Sequence, residues 1–147
     1  MTAKIARAAV IAAIYAVLTI VLRPFSFGYI QVRVAEALAL LPILYPEAIA
    51  GLFIGCLVSN IYGGLGPIDI FLGSLTTLVA AWLTYRWRNS WFAYLPPIIL
   101  NGLIVGTYLA FLLNVPVYLA VVTVALGEAI AVLVFGIPII KRLRRVK

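Results

Sequence analysis

The chain has 147 residues and a net charge of +7, and 66% of it is hydrophobic against 10% charged, with a mean hydropathy of +1.21. This composition excludes an ordinary soluble domain, because the charges cluster between apolar segments that suit lipid. The basic surplus does not require nucleic acid, since the basic residues lie at segment ends, where membrane topology explains them. We therefore predict one all-α transmembrane domain over 1–147 that binds no nucleic acid.

Six apolar segments follow one another, at 6–22, 34–45, 47–62, 69–85, 93–113 and 116–140. The first resembles a signal peptide, but its length and the spans that follow indicate a retained helix. The second and third are shorter than the roughly 20 residues that a span needs. Only Pro46 and Glu47 separate them, so they form either two helices or one broken helix.

The distribution of charge favours six helices over five. A six-helix bundle with a cytoplasmic N-terminus leaves only Arg23 and Arg33 outside, as the positive-inside rule requires. Five helices would place the C-terminal "KRLRRVK" opposite the basic N-terminus. We therefore predict that both termini are cytoplasmic, together with these nine basic residues: Lys4, Arg7, Arg86, Arg88, Lys141, Arg142, Arg144, Arg145 and Lys147. The aromatic residues of "WLTYRWRNSW" are typical of a membrane interface.

Small residues recur every four positions in the first, third, fourth and fifth helices, a spacing that predicts a tightly packed bundle. The first helix is unusual because its small face is wide. That face has two open interpretations, packing inside the bundle or docking on a second membrane protein. It consists of Ala8, Ala9, Ala12, Ala13 and Ala16.

The sequence lacks the residues of common catalytic sites. It has no histidine, no cysteine cluster, no Walker-type phosphate loop and no Gly-x-Ser-x-Gly elbow. We therefore expect no enzymatic activity, no metal and no cofactor, and no ATP hydrolysis by this chain. The one cysteine, Cys56, is predicted to be a small buried hydrophobe.

Polar residues at membrane depth are costly and are usually functional. Glu128, in "ALGEAIAVL", is the strongest candidate for a substrate-binding residue, although it can instead be a protonated group bonded to a neighbouring helix. Asn101, in "PPIILNGLIVG", can bind a ligand or join two helices. Asp69 follows Pro67 in the first helical turn, where a carboxylate either suits the helix dipole or contacts a ligand.

The first external loop has a pattern of its own. In "YIQVRV" the polar residues Tyr29, Gln31 and Arg33 alternate with apolar ones, which indicates an extended segment that can cover the bundle as a lid. Arg33 and Glu36 are spaced to pair as i, i+3 neighbours at the start of the second helix. Glu47, on the cytoplasmic side, is interpreted as structural.

Four blocks, "QVRVAEALALLP", "GLFIGCLVSN", "GPIDIFLGSLTTLVAAWLT" and "LGEAIAVLVFGIPI", resemble the QueT family of queuosine-precursor transporters. These are substrate-binding S components of energy-coupling-factor transporters. The resemblance implies a multi-pass protein of a prokaryotic cell membrane that captures prequeuosine, an aminomethyl deazaguanine, from outside. It also implies partners, one transmembrane coupling protein and two ATPases, with the coupling protein meeting the small face of the first helix.

Under this resemblance, Glu128 is expected to bind the guanine-like edge with help from Asn101, and Glu36 or Asp69 to meet the ammonium group. The predicted set is completed by Arg33, Gln31 and Tyr29. Two other functions remain open: the same architecture serving another vitamin, or a stand-alone oligomeric secondary transporter with Glu128 as a proton relay.

Overall fold

The computed structural model describes residues 1–26 and 33–146, and helices make up most of both ranges. The predicted lid falls mainly on 27–32, outside the described residues. Along the described chain six helices match the six predicted segments, and one further helical turn, Arg23–Ser26, follows the first of them. The helices are α1 (Thr2–Val21), α2 (Val34–Ile43), α3 (Ala48–Gly63), α4 (69–86), α5 (Trp91–Leu113) and α6 (117–146).

Within residues 1–26 and 33–146, three helices are long and apolar enough to cross a membrane: α1 with 20 residues, α5 with 23, and 29 residues of α6, Val117–Arg145. Helix α2 has only 10 residues, but it is a 3₁₀ helix. A 3₁₀ helix rises about 2.0 Å per residue against about 1.5 Å in an α-helix, so ten residues extend roughly 20 Å. This stretched geometry carries a short segment through much of the bilayer.

Helices α1 and α3 run in the same direction and touch closely. A Cβ atom placed on Gly51 would lie 2.6 Å from the Ala8 carbonyl oxygen, and one on Gly55 would lie 2.8 Å from the Tyr15 Cβ. Residue numbers therefore rise together along both helices. Two parallel neighbours need a crossing between them, which α2 supplies, so the six-helix prediction is confirmed.

The predicted glycine spacing also joins α5 to α6. A Cβ atom on Gly102 would lie 2.8 Å from the Ala125 Cβ, and one on Gly106 would lie 2.7 Å from the Val121 Cα. Numbers rise along one helix as they fall along the other, so these helices are antiparallel. Glycine at both positions allows the close backbone approach that stabilises helix pairs in lipid.

The two ends of the bundle differ in charge. At one end the Arg7 guanidinium forms an ion pair with Glu47 and lies 4.5 Å from the centre of the Tyr45 ring. At the other end Arg23 Nη2 donates to the Gly63 carbonyl oxygen at 3.5 Å. We call these the basic end and the outer end. The positive-inside rule places the basic end in the cytoplasm.

Large apolar side chains cover the outside of the bundle and match its lipid surroundings, among them Val17, Phe71, Leu103, Phe111 and Val134. The interior contains an apolar core around Leu40, Leu52 and Val132 towards the basic end. It also contains many buried polar side chains, which is the reverse of a soluble domain. These polar groups define the candidate site.

Candidate functional site

Buried polar residues from five helices and the α2 N-terminus form two adjoining groups. The outer cluster consists of Arg33, Asn60, Asp69 and Tyr108. The central cluster consists of Tyr15, Glu36, Asn101 and Glu128. Every one of these eight side chains is at most 6% exposed. Polar groups are buried at this depth only when they have partners or a ligand.

Asp69 is the centre of the outer cluster. Its Oδ1 accepts a hydrogen bond from the Tyr108 hydroxyl at 2.6 Å and lies 3.7 Å from Arg33 Nη2 in an ion pair. Asn60 Nδ2 donates to the Asp69 backbone carbonyl at 2.9 Å. Asp69 lies in the first turn of its helix, so the predicted helix-dipole role stands beside these side-chain contacts.

Gly73 makes room for the outer cluster. A Cβ atom there would lie 2.7 Å from the Tyr108 hydroxyl oxygen and 2.9 Å from Asn60 Nδ2. Neither atom can move away without losing its hydrogen bond to Asp69. The glycine of "DIFLG" therefore serves the polar site rather than a helix–helix contact.

In the central cluster, the Tyr15 hydroxyl donates a hydrogen bond to Glu36 Oε1. Glu128 is close enough to interact electrostatically with Glu36 and Arg33, and its side chain interacts with Asn101. Arg33 and Glu36, predicted to pair as i, i+3 neighbours, interact electrostatically, while Arg33 also forms an ion pair with Asp69 and Glu36 is hydrogen-bonded to Tyr15.

Cys56 lies between the two clusters. Its Sγ accepts from Thr77 Oγ1 at 3.3 Å and from Asn60 Nδ2 at 3.5 Å, and Arg33 Nη1 lies 4.0 Å away. The prediction of a small buried residue is confirmed, and three polar side chains surround the thiol. The residue is small enough to let the clusters meet.

Several buried atoms in the described part of the chain have no hydrogen-bond partner. Four are acceptor oxygens: Glu36 Oε2, Asp69 Oδ2, Asn60 Oδ1 and Glu128 Oε2. Asn101 Nδ2 is a donor in the same position, and Ser26 Oγ, which can donate or accept, lies at the outer end. A buried polar atom without a partner costs about 1–3 kcal/mol, so these atoms point to a ligand rich in donors.

Three π-helical turns interrupt the helices at the site. Asp69–Gly73 begins at Asp69, Asn101–Val105 begins at Asn101, and Ile130–Gly136 begins two residues after Glu128. A π turn adds a residue to one turn, changes which side chains face inward, and is frequent at functional sites. The long 3₁₀ helix that carries Glu36 is a fourth departure from α geometry.

The structure therefore brings together five of the predicted substrate-binding residues: Arg33, Glu36, Asp69, Asn101 and Glu128. The other two, Tyr29 and Gln31, lie outside the described residues. On α1 the small face divides in two. Ala12 is buried against Gly55, and Ala8 approaches Gly51. Ala16 is half-buried, whereas Ala9 and Ala13 are exposed.

Sequence reasoning missed three members of the site: Tyr15, Asn60 and Tyr108. Each has a hydroxyl or amide in the middle of an otherwise apolar helix, which was a usable signal. Tyrosine is also common at membrane interfaces, so Tyr15 and Tyr108 gave no sign from spacing alone that they face inward.

A bundle of membrane-crossing helices with an enclosed polar site between its ends has the architecture of a multi-pass membrane transporter. Comparison with known proteins gives the family. Residues 5–145 match the QueT transporter family, so the chain belongs to that family.

One curated relative is the queuosine precursor transporter QueT of Lactococcus lactis subsp. cremoris (strain MG1363), which is 36% identical over 80 residues. That alignment covers 53% of this chain and 47% of the relative, so the chain spans about half the length of the curated protein. No solved structure matches this chain.

Proposed function

We propose that this transporter captures the queuosine precursor 7-aminomethyl-7-deazaguanine from the outer side of the membrane. The observation that carries the proposal is the excess of acceptors in the site: four buried acceptor oxygens have no hydrogen-bond partner, against one amide donor, Asn101 Nδ2. The other buried donor there, the Arg33 guanidinium, is already paired with Asp69. The name of the curated relative, a queuosine precursor transporter, supports the same ligand class.

The ligand has the complementary pattern of groups. Its pyrimidinone edge presents a ring N–H beside an exocyclic amine, its pyrrole ring has another N–H, and its aminomethyl group is cationic near neutral pH. It has few acceptors, chiefly the ring carbonyl oxygen and one ring nitrogen. A carboxylate can accept two parallel N–H donors, which gives both strength and geometric specificity.

Glu128 with Asn101 is the assigned partner of the guanine-like edge. The free Glu128 Oε2 is an acceptor, and the free Asn101 Nδ2 is the donor that the ring carbonyl oxygen needs. The two side chains come from adjacent helices and lie close together. Together they offer an acceptor and a donor side by side, as the edge requires.

Glu36 is the assigned partner of the ammonium group, and Asp69 is not. The Asp69 carboxylate already has the Arg33 guanidinium at 3.7 Å. Glu36 has a neutral hydrogen-bond donor, Tyr15, on one oxygen and no hydrogen-bond partner on the other. A cation therefore gains more from Glu36 than from a carboxylate whose charge is paired. Tyr29 and Gln31 lie outside the described residues and stay predictions from the sequence.

The ligand assignment is tested with Glu128→Gln. Loss of the charged, two-point acceptor should weaken binding of 7-aminomethyl-7-deazaguanine about 100-fold in calorimetry with the purified chain. Glu47→Gln, at the basic end, is the matched control and should bind like the wild type. Unchanged affinity in Glu128→Gln would show that this carboxylate does not bind the guanine-like edge of the ligand. Extraction of thiamine or riboflavin from the purified protein would identify another vitamin as the ligand.

We further propose that the chain works as the S component of an energy-coupling-factor transporter. The sequence contains no nucleotide-binding loop, so ATP-driven uptake needs partner ATPases and a transmembrane coupling protein. The exposed alanines Ala9 and Ala13 leave part of α1 smooth enough for another helix to approach closely. In this proposal the chain binds and presents substrate and performs no chemistry itself.

Docking on α1 is tested by placing a large side chain on that face. Ala13→Trp should abolish copurification with the coupling protein and ATP-dependent uptake in proteoliposomes, while ligand binding stays unchanged. Ala50→Trp, at an exposed alanine of α3, is the matched control and should assemble normally. Uptake by the chain alone, driven by a proton gradient, would instead establish a stand-alone transporter and leave the ligand assignment intact.

A further inference from the structure

Tyr15 of α1 supports Glu36 of α2 from a neighbouring helix. The tyrosine is fully buried, and its hydroxyl donates to Glu36 Oε1. The other carboxylate oxygen, Oε2, is buried and has no hydrogen-bond partner. The phenol therefore holds one oxygen in place and leaves the second available to a ligand.

Tyr15 is itself held firmly by its surroundings. A Cβ atom on Gly55 would lie 2.8 Å from the Tyr15 Cβ, so α3 stands directly against the base of this side chain. Thr19 Oγ1 donates to the Tyr15 backbone carbonyl at 2.9 Å, one turn further along α1. A side chain packed in this way can fix the orientation of the group that it contacts.

The outer cluster contains a second tyrosine–carboxylate pair, which differs from the Tyr15–Glu36 pair in its charge. Tyr108 donates to Asp69 Oδ1 as Tyr15 does to Glu36, and each pair leaves one carboxylate oxygen free. The difference lies in charge, because Arg33 forms an ion pair with Asp69. Glu36 interacts electrostatically with both Arg33 and Glu128, so the central cluster keeps more negative than positive charge whenever both glutamates are ionised.

We propose that Tyr15 is a positioning residue that makes the site select a cationic ligand over a neutral one of the same shape. The inference rests on the proposed function, since Glu36 is the assigned partner of the ammonium group. The phenol hydrogen bond stabilises the ionised carboxylate and aims Oε2 into the site. Without that bond Glu36 keeps its place in the sequence but loses its fixed direction and part of its charge stabilisation.

The test compares two ligands that share one bicyclic ring system, 7-aminomethyl-7-deazaguanine and the neutral 7-cyano-7-deazaguanine. Calorimetry with the purified full chain in detergent gives the ratio of their affinities. Tyr15→Phe should lower the affinity for the cationic ligand roughly tenfold, because one hydrogen bond to a charged group is lost. The affinity for the neutral ligand should change less than about twofold, within the range of a surface substitution.

Two comparisons separate positioning from general damage. Tyr108→Phe removes the same hydroxyl from the other pair and should lower both affinities by the same factor. Glu36→Gln should lower the cationic affinity more than Tyr15→Phe does, and the double variant should be no worse than Glu36→Gln. If Tyr15→Phe does not fold, Glu36→Asp withdraws the carboxylate from the phenol and should give the same loss of preference.

Equal losses for both ligands in Tyr15→Phe, or additive losses in the double variant, would overturn the positioning role. A wild-type chain that prefers the cationic ligand, with a Tyr15→Phe variant of unchanged preference, would also overturn it while the proposed function stands. A wild-type chain that binds neither deazaguanine would overturn the proposed function, and the inference with it.

Discussion

The outer and central clusters each contain a hydrogen-bonded tyrosine and carboxylate, but the two pairs differ in how their charge is balanced. Each joins a tyrosine of one helix to a carboxylate of another, and each carboxylate keeps one free oxygen. In the outer cluster Arg33 offsets the charge of Asp69 at 3.7 Å, so Asp69 holds helices together. In the central cluster Glu36 and Glu128 lie near each other, and their interacting cation, Arg33, is already paired with Asp69.

Charge pairing distinguishes buried polar groups that stabilise helix packing from those that can bind a ligand. Removing one partner of a buried ion pair is strongly destabilising, because the other charge is left uncompensated. While the pair is intact, each charge is largely offset by the other. A buried carboxylate without such a pair is unfavourable when empty, and the energy is recovered when a cation arrives. In the outer cluster the Asp69 charge is paired with Arg33, whereas in the proposed binding mode the ligand supplies the cation for the central cluster.

The largest effect is expected from Asp69→Asn, which breaks the outer cluster. Asparagine keeps an oxygen for the Tyr108 hydroxyl but leaves the buried Arg33 guanidinium without its counterion. Removing one partner of a buried ion pair costs about 3–5 kcal/mol. Thermal unfolding in detergent measures the loss.

The double variant Asp69→Asn with Arg33→Gln is the control, because it removes both charges together. It should recover part of the lost stability, since the guanidinium is no longer buried without Asp69 as its counterion. A double variant less stable than Asp69→Asn alone would show that Arg33 contributes through contacts other than the ion pair.

An intermediate effect is expected from one substitution made in each cluster. Gly73→Ala places a Cβ atom 2.7 Å from the Tyr108 hydroxyl oxygen, and Gly55→Ala places one 2.8 Å from the Tyr15 Cβ. Overpacking of this kind costs about 1–3 kcal/mol. Both variants should therefore unfold at a lower temperature.

The two glycine variants should differ in ligand preference. Gly55→Ala displaces Tyr15 and should reduce the preference for the aminomethyl over the cyano ligand, whereas Gly73→Ala should leave that ratio unchanged. Gly51→Ala overpacks the same α1–α3 contact nearer the basic end and controls for helix separation. An equal loss of preference in all three variants would contradict a division of labour between the clusters.

The smallest effect is expected at Glu47, which lies outside both clusters. Its pKa is lowered, first by its own backbone N–H and then by Arg7. A lowered folded pKa adds stability at neutral pH that is lost as the pH falls below its ordinary value of 4.5. The difference in unfolding free energy between wild type and Glu47→Gln should stay below about 1 kcal/mol at pH 7 and shrink towards pH 4. A difference that grew in acid would contradict this sign.

Much of the fold could be predicted from the sequence. Apolar segments, basic residues at their ends and small residues at four-residue spacing predict six helices, their direction and a tightly packed bundle, because lipid acts on each segment almost separately. Glu128 and Asn101 stood out for the same reason, since a polar group at membrane depth is expensive wherever its neighbours lie.

The partners of these residues could not be predicted in this way. Tyr15 and Glu36 are 21 residues apart, and Tyr108 and Asp69 are 39 apart. The local spacing of Arg33 and Glu36 predicted their interaction but not the ion pair of Arg33 with Asp69, which is 36 residues further along the chain. Which side chains meet depends on how each helix is rotated about its axis, and the sequence pattern leaves that rotation open.

The sequence by itself therefore determined a six-helix membrane bundle of the QueT family and most of the residues that enter its interior. The tertiary structure was needed to show that the Asp69 carboxylate is paired with a cation and that Glu36 keeps an oxygen without a hydrogen-bond partner. Three π turns and one 3₁₀ helix change which side chains face inward at the site. Charge pairing in a low dielectric also depends on differences of a few ångströms between side chains on different helices.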